Sequence, residues 1–243
     1  MIEEKAGEIW ERRFAKVSPT TDTFLVACIV GGQPGAGKSS AEETILARLG
    51  HNAAFISMDE YRKTHPLFGQ ICEEQGENFA KYTHGYVRQI ADRLFEKAIK
   101  HRLNIAYEST LRSVDRVSGL IHKLQNNKYG CSILVVSCSA IDSYIGTKKR
   151  TIDAIAAGEQ PRGVATEDHD AIVKILVENV QKLCDNFKDI LISIQTREAI
   201  ELWNNQDEKY KDINPSQVLQ DELKYSEYLD YKRTLKSGKG KAE

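Results

Sequence analysis

Residues 31–40, GGQPGAGKSS, follow directly on the apolar run FLVACIV at 24–30. An unbroken apolar run of that length predicts a strand covered on both faces, the usual condition of a central parallel strand. From Lys38 onward, Ala41, Ile45 and Leu49 recur every four residues and Gly50 stops the pattern, which predicts a helix with one buried stripe. Strand, glycine-rich turn and helix are the context that the pattern GxxxxGK[ST] requires, and Gly32, Gln33, Pro34, Gly35, Ala36, Gly37, Lys38 and Ser39 match it without a gap. The glycines let the backbone turn tightly and aim successive N–H groups at phosphate oxygens, where a side chain would collide. Lys38 supplies a mobile positive charge to the outer phosphates and Ser39 a hydroxyl for a magnesium ion. The helix that follows, with Ser40 in its first turn, turns its positive end toward the anion. Gly32 to Ser40 is therefore the expected ATP-binding set, and Mg2+ the expected cofactor.

Working outward, the same unit recurs. AAFISM (53–58), LNIAYES (103–109), CSILVVSCS (131–139) and DILISI (189–194) read as further strands. Helical patterns lie at 79–100, 113–127, 141–157 and 167–185, with the break GEQPRG at 158–163 between the last two. Strands alternating with helices predict an α/β fold, a P-loop NTPase-type parallel sheet with helices on both faces. Residues 203–243 are rich in Lys, Asp, Glu, Asn and Gln, which predicts a polar helical extension on the surface and a frayed tail at KSGKGKAE. No fixed-period repeat or low-complexity linker divides the chain, so a single domain over 1–243 is expected.

Bulk composition narrows the partners. Lys plus Arg number 34 against 35 for Asp plus Glu, so no overall field draws the protein to nucleic acid or to an anionic membrane. The N-terminus MIEEKAGEIWERRFAKV mixes acids with bases and lacks a signal-length apolar segment, and no later stretch nears the roughly 20 apolar residues that span a bilayer. A cytoplasmic protein is expected. The five cysteines show neither CxxC pairs nor Cys/His metal spacing and are read as reduced thiols.

The phosphate loop is shared by GTPases, motors and small-molecule kinases, so the reaction must be read elsewhere. The second strand runs into ISMDEYRKTHP, which puts Asp59 at the carboxyl end of a strand, where ligands collect in open α/β sheets. A carboxylate there suits a general base taking a proton from a substrate hydroxyl, and suits a helix cap as well. Glu60, next in sequence, points elsewhere and is read as solvated. The third strand ends in AYESTLR, placing Glu108, Thr110 and Arg112 at its carboxyl end. Glu108 suits magnesium-bound water or a substrate; Thr110 and Arg112 suit a polyhydroxyl or anionic substrate, or equally a helix cap and a surface ion pair. His51, His65, His84 and His169 are read as structural or exposed.

GGQPGAGKSS, DEYRKTHP and YESTLR in this order, continued through YIGTKKR (144–150) and ATEDHD (165–170), resemble the zeta toxin family over roughly residues 24–185. The resemblance implies an ATP-dependent kinase acting on UDP-N-acetylglucosamine. Asp59 would be the base for the sugar's 3′-hydroxyl, Glu108 the carboxylate beside magnesium, and Thr110 and Arg112 neighbours of the sugar nucleotide. Arg150 and Arg162 would embrace the transferring phosphoryl group, together with Lys38. A small helical antitoxin is the partner it implies. One departure is Arg88, which stands where the family has an acidic residue that helps hold the sugar nucleotide. It leaves open a kinase of another UDP-sugar, a dinucleotide or a small alcohol. A non-catalytic nucleotide-binding regulator is the reading from another class, and GTP stays open beside ATP although no NKxD motif is present.

Overall fold

The computed structural model describes residues 1–20, 24–159 and 163–239. Among the described residues six strands form one sheet: β1 (Leu25–Gly31), β2 (Ala53–Ile56), β3 (Asn104–Glu108), β4 (Tyr129–Ser137), β5 (Leu191–Thr196) and β6 (Glu201–Asn204), in the spatial order β2-β3-β1-β4-β5-β6. The first five are parallel and β6 runs antiparallel to β5. The helices are α1 (Ile2–Arg13), α2 (Lys38–Arg48), α3 (Met58–Tyr61), α4 (Phe68–Gln75), α5 (Phe79–Lys100), α6 (Val114–Asn126), α7 (Ala140–Ala156), α8 (Thr166–Asn186), α9 (Pro215–Leu223) and α10 (Tyr225–Lys239).

The α/β architecture expected from the strand and helix patterns is present, with β1 central between β3 and β4. Successive residues of a strand face opposite sides of the sheet, and the register keeps both sides apolar. Ala27 and Ile29 of β1 pair with Ile105 and Tyr107 of β3 and join Ile133 and Val135 of β4 in the larger core. That core is filled by Val87, Ile90 and Leu94 of α5, Ile121 and Leu124 of α6, and Leu176, Val180 and Leu183 of α8. Val30, Phe55, Ala106, Leu134 and Val136 face the other way, onto Ala41 and Ile45 of α2.

Two regions depart from the sequence reading. Residues 2–13, given no element there, form α1, whose Ala6, Ile9 and Trp10 are buried against the larger core. The helical extension expected at this end is present as α9 and α10, but it is not confined to the surface: Trp203 of β6, Leu219 and Leu223 of α9 and Tyr228 of α10 are buried in the same core. Apolar residues spaced this widely in a polar segment give little periodic signal, yet a few large side chains suffice to seat two helices. No helix among the described residues is long and apolar enough to cross a membrane.

Candidate active site

The nucleotide loop leaves β1 and turns before α2, with Gly37 at φ 96° as the residue preceding the helix. Gly35 is constrained by the protein itself. Its φ is +81°, and a Cβ there would lie 2.1 Å from the carbonyl oxygen of Ser143, so the first turn of α7 rests directly on the loop. Behind the loop, Arg197 donates from Nη2 to the Gly35 oxygen at 3.3 Å and to Cys138 Sγ at 2.7 Å. The Gln33 side chain is fully buried and donates to the Cys138 carbonyl at 2.7 Å, and Ala36 is fully buried too. Whatever these two residues offer a phosphate is main-chain. Gly32, with φ +143°, packs on the Val136 carbonyl of β4. Ser40 lies in the first turn of α2.

Lys38 is almost wholly buried. Its Nζ donates to the carbonyls of Gly32 and Gln33, both at 3.1 Å, and stands 3.8 Å from Glu108 Oε1. Burial pushes its pKa down, and Glu108 and Asp59 work against that. Glu108, at the end of β3, accepts from Ser57 Oγ at 2.5 Å on its other oxygen.

A cavity of about 440 Å³ opens beside the loop. Its walls are Pro34, Gly35, Gly37, Lys38 and Ser39 from the loop, and Met58, Asp59 and Arg62 from the segment after β2. The long helix α5 adds Ala80, Lys81 and His84, the end of β3 adds Glu108, Ser109, Thr110 and Arg112, and Arg150, Asp168 and Ile172 come from α7 and α8. Asp59, Lys38, Ser39, Glu108, Thr110, Arg112 and Arg150 thus meet around one space, although they come from four separate stretches of chain. Arg162 lies outside the described residues.

Asp59 belongs to the one-turn α3 immediately beyond β2, and its side chain is 60% exposed on the cavity wall. Withdrawal from bulk water pushes its carboxyl up, but the Arg62 guanidinium, with Lys38 and Arg150 beyond it, outweighs this and holds it below the ordinary carboxylate range. The cap of α6 is Ser113, which accepts from Arg116 N at 3.2 Å, so Thr110 is not used as that cap. Arg112 pairs with Asp168 at 3.4 Å within the cavity lining. Glu60, read as solvated, is instead partly buried in an ion pair with Arg13, because α1 passes beside it.

Several supporting residues carried no local signal. Leu111, fully buried at φ +53°, lets the chain leave β3 in a tight bend, and Asn179 of α8 donates to the carbonyls of Leu111 and Arg112 at 2.8 and 3.1 Å. This clamp fixes the loop bearing Thr110 and Arg112. Ser143 of α7 is hydrogen-bonded to the fully buried His169 at 2.9 Å, and Tyr228 of α10 reaches His169 Nδ1 at 3.3 Å and Asp170 at 2.5 Å. The C-terminal helix is thereby tied to the helix that carries Arg150. A second cavity of about 680 Å³ shares Met58, His84, Ser109, Thr110 and Arg112 with the first and extends along α5 and α6 to Arg88, Asp92, Arg116 and Lys123. Among the described residues no cluster of three or more His, Cys, Asp or Glu side chains could hold a metal ion by itself, and the five cysteines are free thiols.

A glycine-rich loop between a central parallel strand and a helix, faced by carboxylates beyond the ends of two further strands, defines a P-loop nucleotide-binding protein. The chain belongs to the zeta toxin family, ATP-binding P-loop kinases, whose defining pattern matches residues 14–208. It is 28% identical over 213 residues to "Toxin PezT" of Streptococcus pneumoniae, covering 86% of this chain and 82% of that protein. It is 27% identical over 226 residues to "Toxin zeta" of Streptococcus agalactiae, covering 91% of this chain and 75% of that one. A solved structure from the PezAT chromosomal toxin–antitoxin system of S. pneumoniae superposes with a TM-score of 0.76 at 21% identity, over 91% of this chain and 86% of that one. The AvrRxo1-ORF1:-ORF2 complex shares the fold at a TM-score of 0.58 and 13% identity, over 87% and 71%.

Proposed function

We propose that this protein, folded as one catalytic domain, moves the γ-phosphate of ATP to the 3′-hydroxyl of the amino sugar of UDP-N-acetylglucosamine. The observation that carries this reading is the adjacency of the two cavities: Asp59 and Lys38 line the first, and a second space of about 680 Å³ opens from its wall through Thr110 and Arg112. A hydrolase needs room only for water beside the terminal phosphate. A kinase needs a site for a whole acceptor, and spaces of this size suit one.

ATP lies with its phosphates over the loop, held by main-chain N–H groups and by Lys38, which leaves the carbonyls of Gly32 and Gln33 for the outer phosphates. Asp59 takes the proton of the acceptor hydroxyl as its oxygen bonds to the γ-phosphorus and the bond to the ADP oxygen breaks. Lys38, Arg150 and Arg162 face the charge that spreads over the phosphoryl oxygens. The Ser39 hydroxyl and the Glu108 carboxylate, both in the lining of the first cavity, are hard oxygen donors of the kind Mg2+ takes beside substrate phosphates, so the donor set fits. Bound there, Mg2+ would neutralise charge on the β- and γ-phosphates. Thr110 and Arg112, fixed by Asn179, meet the acceptor where the cavities join.

Arg88 favours a second reading, another nucleotide sugar or a dinucleotide as acceptor. It lines the second cavity with its charge toward Asp92 at 3.9 Å, so the acceptor meets a cation and a carboxylate one helical turn apart. A small antitoxin protein is the partner we propose, in a cytoplasmic setting. Ile145, Ile152 and Ile155 support it: they lie along one side of α7, 47%, 64% and 61% exposed, on the helix that carries Arg150.

The test incubates the protein with Mg2+, ATP and a panel of UDP-sugars, dinucleotides and small alcohols, and reads phosphate incorporation by mass spectrometry. Phosphorylation of UDP-N-acetylglucosamine, lost by about 10²–10⁴-fold in Asp59→Asn with ATP binding intact, is expected. Transfer that survives in Asp59→Asn removes the base; phosphate on another acceptor alone selects the second reading; ATP bound without turnover removes both.

A further inference from the structure

Among the described residues, Arg62 is the one guanidinium in the first cavity that is held from several sides by protein. Its Nε donates to Asp59 Oδ1 at 2.9 Å, while Nη1 donates to the Ala80 carbonyl at 2.9 Å and to Thr83 Oγ1 at 2.8 Å. Thr83 is fully buried and itself donates to the Phe79 carbonyl at 3.0 Å, and the Phe79 ring lies 6.0 Å from the guanidinium carbon. The Arg62 side chain is 11% exposed, against 60% for Asp59. The arginine is thus built into the first turns of α5 and the aspartate hangs from it.

This matters because Asp59 sits on a helix of four residues, which on its own gives a side chain little fixed direction. A planar guanidinium whose Nη1 is anchored on α5 fixes the direction of its Nε–H and so defines where a carboxylate oxygen must stand. From this geometry we infer that Arg62 is the positioning residue for the base: it occupies Oδ1 of Asp59 and so assigns Oδ2 to the acceptor hydroxyl. The inference rests on the kinase reading above, since it is the proton transfer that needs a defined oxygen.

The other charged groups facing Asp59 do not supply this constraint. Lys38, from the loop, is bonded to loop carbonyls, Arg150 reaches in from α7, and Glu108 stands at the end of β3 on Lys38 and Ser57. Lys81 and His84 of α5 and the Arg112–Asp168 pair line the same cavity, and no hydrogen bond joins Asp59 to any of them among the described contacts. Removing Arg62 therefore takes away the nearest cation and the fixed orientation together, and the two losses have separate readouts.

The experiment compares wild type, Arg62→Gln and Arg62→Lys, each checked for folding by thermal unfolding. In Arg62→Gln, kcat is expected to fall about 10²-fold, the usual cost of a misplaced reacting group, while KM for ATP stays within about twofold. The acidic limb of the kcat profile moves to higher pH, because the base loses the charge that kept it ionised. Arg62→Lys keeps a cation and returns the limb toward wild type, but it recovers only part of kcat, since a single ammonium cannot reproduce the fork. In parallel, the Asp59 carboxyl is titrated by carbon-13 NMR in the nucleotide-free protein, where Arg62→Gln raises its pKa. A loss of kcat with limb and titration unmoved reduces Arg62 to a structural role and overturns the inference, as does unchanged kcat. If Arg62→Gln does not fold, full kcat in Arg62→Lys overturns it and a partial loss with the limb preserved supports it. If the wild type phosphorylates no acceptor, the kinase reading fails by itself and the NMR titration still decides whether Arg62 governs Asp59.

Discussion

Replacing Gly35 with alanine separates what the loop needs for phosphate from what it needs for packing. At φ +81° an L-residue carries a left-handed backbone cost of about 1–2 kcal/mol. The new Cβ would also lie 2.1 Å from the Ser143 carbonyl oxygen, about 1 Å or more inside ordinary contact, and that oxygen belongs to the backbone of α7 rather than to a pliant side chain. Overpacking of that kind costs about 1–3 kcal/mol, for a sum of roughly 2–5 kcal/mol. In a chain of this size the sum lowers Tm by roughly 4–20 °C, at about 2–4 °C per kcal/mol. Gly50→Ala is the internal control: φ is +63°, yet nothing lies within 4 Å of the added carbon, so only the backbone cost of about 1–2 kcal/mol applies. Thermal unfolding followed by circular dichroism measures both, and isothermal titration with ATP measures the second consequence. Because α7 carries Arg150, a helix pushed off the loop also weakens nucleotide binding in Gly35→Ala and leaves it intact in Gly50→Ala. If the two variants melt at the same temperature and bind ATP alike, the loop and α7 are not in contact, and the account of Gly35 is wrong.

Leu223 is 1% exposed at the end of α9, so Leu223→Ala should cost about 2–5 kcal/mol in denaturant unfolding; a change under about 1 kcal/mol would return the C-terminal helices to the surface. The His169 cluster sets a pH dependence. Burial depresses His169 below its ordinary 6.5, so the unfolded chain takes up its proton first and stability falls as pH drops below about 6.5. For Asp170, burial pushes the carboxyl up, but Lys232, Tyr228 and His169 hold it down overall, so its contribution is present above the unfolded value and is lost as pH falls through the folded one. His169→Gln removes the first effect and one of the three supports of Asp170, and the second loss is felt only below the carboxylate range. The stability gap between it and wild type should therefore narrow between pH 7 and pH 5.5; a gap that is constant or widens contradicts this.

The parts of the molecule legible in the sequence were those written in adjacent residues. FLVACIV, LNIAYES and CSILVVSCS read as strands because both faces of β1, β3 and β4 are apolar, and the loop read as a phosphate cradle because its glycines, Lys38 and Ser39 are consecutive. Asp59 and Glu108 were legible by position, since residues just beyond parallel strands gather at one edge of the sheet. Only the tertiary structure joined Arg62 to Asp59 and α5, Asn179 to the loop after β3, Ser143 to Gly35, and Tyr228 to His169. It also seated α1, and it turned the polar end of the chain into β6, α9 and α10 with their buried Trp203, Leu219, Leu223 and Tyr228. The physical reason is common to all of these. A hydrophobic period or a phosphate loop is a property of neighbours along the chain, whereas a clamp or a buried anchor is one donor or one side chain meeting a partner 68 or 59 residues away, and isolated residues leave no period to read.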